Sequence, residues 1–138
     1  MITVRRSNHS DTRHDLIIRD HDLTVDLAPS EGGADDGPDP HDLYDASLAA
    51  CKALTMLWYA QRNAIPLEDI EVSITRDNSA ERKGIYRLKA AVSVSGPMTD
   101  AQRDTLLSVA AKCPVHKLMT SVTTEIETVW RDESSVAS

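Results

Sequence analysis

Phenylalanine is absent from the 138 residues, and aromatic side chains make up only 4% of them. The core must therefore be assembled from Leu, Val, Ile, Ala and Met. Cysteine is scarce as well. Two are present, with no CxxC between them, which excludes a thioredoxin-type pair and a disulfide-built scaffold. Basic residues are outnumbered, 15 Lys and Arg against 22 Asp and Glu, for a net charge of −7. No basic patch stands out, so a nucleic-acid partner is not expected, and the acidic surface argues for solubility. No stretch reaches the roughly 18 uncharged apolar residues of a membrane span. The opening MITVRRSNHSDTRHD has no apolar core of a secretory signal. These absences point to a cytoplasmic protein without membrane contact, a setting in which any Cys–Cys bond is transient or catalytic. The length suits one domain that can bury a core without metal or disulfide staples.

The apolar pattern changes period along the chain. Leu16 and Ile18, then Leu23, Val25 and Leu27, alternate as short strands with the polar RDHD as a turn between them. Residues 28–40, APSEGGADDGPDP, read as a loop; the glycines lack the Lys and spacing of a phosphate-binding loop. From Asp42 to about Asn63 the chain is rich in Ala and Leu and free of Gly and Pro, which predicts a helix, with Pro40 just ahead of it. Nearly every side of that helix is apolar, so it should be buried all round. One subunit of this size cannot surround it, which implies a partner subunit. Ile70, Val72 and Ile74, then Tyr86 to Val94, alternate as a hairpin around RDNSAERKG. Thr99 with Gln102 forms a capping-box signature for a helix running to about Ala111. Pro114 suits the first position of a further short helix, with Cys113 as its N-cap. Val122, Thr124, Ile126, Thr128 and Trp130 alternate as a final strand, and RDESSVAS reads as a frayed tail. The order of elements favours an α+β fold with largely antiparallel sheets.

The two cysteines carry the chemistry or carry none. Cys51 shares a helix stripe with Ser47 and Thr55, four residues to either side, whose hydroxyls are donors for a thiolate. Taken alone, it reads first as a small buried hydrophobe. Cys113, at a helix N-cap, faces free N–H groups and the positive end of the helix dipole, which favour thiolate. His116, one turn on, is read as a surface histidine. Cys51, Cys113, His41 and His116 lack the short paired spacing of a structural zinc site, so no metal or cofactor is called for. Arg5, Arg6, Arg13 and Arg19 are by default solvated charges; one of them in a cleft beside Cys51 would favour its thiolate.

GPDPHDLYDASLAACKALTMLWYA followed by AAKCPVHKLM, with the preceding HDLTVDLAPSEGGADDG, resembles the OsmC/Ohr family of osmotically inducible and organic hydroperoxide resistance proteins. The likeness runs over roughly residues 10–129. It implies one OsmC-like domain over residues 1–130, with 131–138 a flexible tail, and an intertwined homodimer whose sheets wrap two central helices. It also implies thiol-dependent reduction of organic hydroperoxides, with Cys51 attacking the peroxide, Cys113 resolving the sulfenic acid, and an external dithiol reducing the disulfide. In the hydroperoxide-resistance branch an N-terminal Arg and a Glu ten residues before the first Cys complete the site. Those positions fall near Arg13 and on His41, with Asp42 beside it. A histidine cannot hold an arginine by a carboxylate's charge pair, so the chain departs from that branch here. The competing readings are a small-molecule binding module, its dimer cleft lined by Cys51, Met56 and Trp58, and a zinc- or thiol-based switch without turnover.

Overall fold

The computed structural model describes residues 1–131; apart from Arg131, the tail expected at 131–138 lies outside the described residues. The chain opens with a three-stranded antiparallel meander, β1 (Ile2–Arg6), β2 (His14–Ile18) and β3 (His21–Val25). Leu16 sits opposite both Val4 and Leu23 and is the buried member of the set. The β2–β3 turn is two residues, Arg19 and Asp20, rather than the four of RDHD, because His21 already pairs with Ile18. Arg19 takes a left-handed φ of 53°, which costs an L-residue about 1 kcal/mol.

The loop after β3 folds back on its strand. A Cβ at Gly37 would lie 2.2 Å from the Thr24 carbonyl oxygen, so only glycine allows that approach. The buried Asp26 carboxylate accepts from the Thr12 hydroxyl and from the backbone N–H groups of Leu27, Ala34 and Asp36.

The long helix α1 (Pro40–Arg62) starts two residues earlier than its composition indicated. Asp39 caps it, its carboxylate accepting from Asp42 N–H while the Asp42 side chain accepts from Asp39 N–H, and Pro40 takes the first helical position. Then follow the hairpin β4 (Asp69–Asp77) and β5 (Arg87–Ser95), helix α2 (Asp100–Ala111) and helix α3 (Pro114–Ser121). The Thr99–Gln102 capping box forms, and Cys113 is the N-cap of α3, both as their residues predict.

Met56 and Ala60 of α1 pack with Leu106 and Ala110 of α2 under the inward row Ile70, Val72, Val92 and Val94 of the hairpin. Met56 is fully buried in that core, so its side chain is not free to line the dimer cleft of the binding-module reading. The outer side of α1 is bare: Leu54 is 66% and Trp58 54% exposed.

The final strand does not form. Val122 has the extended backbone its pattern predicts, but residues 122–131 pair with no strand among the described residues. Alternation selects an extended chain, whereas a strand also requires a ladder partner. The apolar side chains meant for a core stay in solvent, Ile126 at 82% and Trp130 at 97% exposure.

Candidate functional site

Cys51 lies midway along α1, half-buried, and Cys113 lies at the break between α2 and α3, fully buried. The break is local in origin. Pro114 cannot supply an N–H to continue α2 but suits the first turn of α3. The first turn of α3 then leaves backbone N–H groups without helical partners, and one of them turns to sulfur. Val115 N–H donates to Cys51 Sγ at 3.4 Å. The Thr55 hydroxyl stands 3.8 Å from Cys51 Sγ. Ser47 is not part of this set; its hydroxyl donates to the Tyr44 carbonyl.

The helix N-terminus thus acts on the Cys51 sulfur. Burial pushes the Cys113 thiol above its ordinary pKa; the His116 N–H opposes that rise, the neighbouring Cys51 side chain adds to it, and the charge of Lys52 opposes it. The net rise reverses the local N-cap argument: desolvation outweighs the dipole.

Lys52 is the residue that sequence reading missed. It is 5% exposed, and its Nζ donates to the Ala110 carbonyl at 2.8 Å and to His116 Nδ1 at 3.1 Å. His116 is accordingly half-buried against Lys52, not a surface histidine. The available signal was a lone charge inside an otherwise apolar helix run, next to the cysteine. A cavity of about 400 Å³ lined by Tyr44, Leu48, Tyr86, Leu88, Met119 and His116 opens beside this cluster.

The other two predicted site residues lie elsewhere in the chain. His41 Nε2 meets Glu81 at 3.0 Å, and its ring stands edge-on to Tyr86. Arg13 precedes β2, with its backbone N–H on Asp11; among the described residues no hydrogen bond or ion pair links it or His41 to either sulfur. The arginine–carboxylate pair that does form was not anticipated. Arg76 of β4 donates Nε to Asp45 at 2.6 Å and Nη2 to Asp42, and Tyr86 Oη donates to Asp45 at 2.7 Å. The Asp39 backbone N–H, then Arg76, hold Asp42 below the usual carboxylate range. Burial and Asp45 push Tyr86 up to about 12. Asp42 is nine residues before Cys51, two and a half turns at 3.6 residues per turn, and so lies on the opposite side of α1. Among the described residues no group of three or more His, Cys, Asp or Glu is placed to hold a metal, and no helix is long and apolar enough to cross a membrane.

A family model described as OsmC-like protein matches residues 33–127. Solved structures share the fold. An OsmC like protein from Mycoplasma pneumoniae superposes with a TM-score of 0.72 at 20% identity, over 88% of this chain and 87% of that one. An organic hydroperoxide resistance protein OsmC from Legionella pneumophila gives 0.63 at 18%, over 88% and 90%. The organic hydroperoxide resistance protein OhrB of Bacillus subtilis gives 0.55 at 19%, over 88% and 91%. No curated protein matches the chain.

Proposed function

The chain belongs to the OsmC-like family, and from that membership we propose that it is a thiol-dependent peroxidase acting on organic hydroperoxides. The observation that carries the reading is the Val115 N–H, two residues past Cys113, donating to Cys51 Sγ at 3.4 Å, which sets the segment that carries Cys113 against the Cys51 sulfur. Cys51 is the attacking sulfur, because donors converge on it: Val115 N–H and the Thr55 hydroxyl. Its thiolate takes the terminal peroxide oxygen; the O–O bond breaks and the alcohol leaves with a proton. The resulting sulfenic acid condenses with the Cys113 thiol, releasing water and forming a disulfide. An external dithiol then reduces that bond by exchange.

The working unit in this reading is a cytoplasmic homodimer of one-domain subunits. The bare face of α1 and the unpaired apolar residues 122–130 support a second copy. Arg13 and His41 stay in the proposed site as groups that pairing of two copies would have to bring to Cys51.

The test is one equivalent of an organic hydroperoxide added to the reduced protein, followed by a thiol count and an intact mass. Loss of both thiols with a mass lower by about two hydrogens supports the reading; survival of both thiols overturns it for that substrate. The cavity beside Tyr86 and His116 favours a second reading, small-molecule binding without turnover. That reading requires ligand-dependent stabilisation that persists when both cysteines are replaced by serine.

A further inference from the structure

Lys52 is the one buried cation among the described residues. A buried ammonium is tolerated only where charge or hydrogen bonds compensate it. Two of its three donors are used, on Ala110 O and His116 Nδ1. The Ala110 carbonyl belongs to the C-terminal end of α2, whose dipole favours a cation but amounts to less than a full charge. His116, accepting at Nδ1, brings no negative charge. Among the described residues no carboxylate lies within ion-pair distance of Lys52, the ion pairs being His41–Glu81 and Arg76 with Asp42 and Asp45. The cavity of about 210 Å³ that Lys52 borders is walled by Leu48 of α1, Leu88 and Val92 of β5 and Leu107 of α2, and His116 is the only other titratable group on it.

The groups in this neighbourhood able to carry a negative charge are the two sulfurs. Lys52 directly follows Cys51 in the chain. Its two partners, Ala110 and His116, stand three residues before and three residues after Cys113. The charge of Lys52 also favours the ionised form of Cys113, against burial.

We infer that Lys52 is the counter-cation of the Cys51–Cys113 pair and sets its redox poise, by stabilising the ionised reduced pair and being left without a counter-ion in the disulfide. The inference rests on the proposed disulfide cycle and deepens it. It assigns to a lysine inside the helix the charge that family likeness sought in an N-terminal arginine. Stabilising the reduced form makes a disulfide more oxidising, so the oxidised protein is easily recycled by a dithiol. The exchange balances as one protein disulfide plus two glutathione thiols giving two protein thiols plus one glutathione disulfide.

The test is the equilibrium of the full chain with mixtures of reduced and oxidised glutathione, read by thiol counting and intact mass, for the parent, Lys52→Met and Lys52→Arg. Lys52→Met should hold the disulfide at mixtures about tenfold more reducing than the parent does, and Lys52→Arg, which keeps the charge, should return most of the way. If Lys52→Met does not fold, Lys52→Gln carries the same comparison. A methionine variant that titrates with the parent overturns the inference. So does an arginine variant displaced as far as the methionine one, because side-chain shape would then be responsible. A parent that forms no intramolecular disulfide in any mixture overturns the proposed cycle itself, and this inference with it.

Discussion

The backbone N–H of Val115 reaches the sulfur of Cys51 over 3.4 Å, although the two residues are 64 positions apart in the chain. A free amide of the first turn of α3 therefore serves a side chain on α1. Replacing Cys51 by serine should lower hydroperoxide consumption by more than roughly a hundredfold, as expected when a nucleophile is removed. Peroxide assays on the purified variant check this; consumption at the parent rate would remove Cys51 from the mechanism.

Cys113 enters the second step as a buried thiol whose pKa is raised, chiefly by desolvation. Its thiolate fraction at neutral pH is small and grows about tenfold per pH unit until that raised pKa is reached. Closure of the disulfide after a single peroxide pulse should therefore accelerate as pH rises through neutrality, measured by stopping the reaction with a thiol-blocking reagent at timed intervals. In Cys113→Ser the sulfenic acid should persist, visible as a mass gain of about one oxygen.

Arg76 should matter to stability and not to thiol chemistry, since its partners lie away from Cys51 on α1. Removing it in Arg76→Ala leaves the buried Asp45 carboxylate with Tyr86 alone. The expected loss is about 1–3 kcal/mol, the cost of an under-satisfied buried acceptor, seen in a denaturant titration. Cys51 should be labelled by iodoacetamide at the parent rate.

Asp26 ties the loop after β3 to the N-terminal sheet. The Thr12 hydroxyl, then backbone N–H groups, hold its carboxyl below the usual value of 3.8. A depressed folded-state pKa gives stability that is full above the ordinary carboxylate range and is lost as pH falls through it toward the folded value. Acid unfolding below about pH 4 should therefore be shallower in Asp26→Ala than in the parent, while the variant melts at a lower temperature at pH 7. Parallel melting curves for the two proteins from pH 7 to pH 3 check this.

The bare apolar residues of α1 and the C-terminal segment should hold two copies together. Replacing Ile126, 82% exposed in the single chain, by aspartate should weaken that association, because a charge placed in an apolar interface is left unpaired. Sedimentation of parent and variant across a dilution series measures it. A parent that sediments at the mass of one chain down the whole series would leave the exposed face of α1 unexplained by self-association.

Much of this arrangement is local and therefore readable in one dimension. The Thr99 cap, the Pro114 break, the Cys113 N-cap and the alternation in β4 and β5 depend on residues a few positions apart, and each formed where its pattern stands. The same reasoning failed at residues 122–130, where an alternating pattern requires a distant strand to complete it. It failed again at His116, whose environment is supplied by Lys52, 64 residues earlier.

The sequence by itself determined most of the elements and the presence of two thiols in helical settings, because caps, turns and period act over a single turn or a single pleat. Only the tertiary structure decided that the Val115 amide reaches Cys51, that Lys52 is buried against His116 and the Ala110 carbonyl, and that Arg76 closes on Asp42 and Asp45. Those choices belong to the packing of α1 against α2, α3 and β4. There, desolvation and hydrogen bonding between distant segments outweigh what any local stretch prefers.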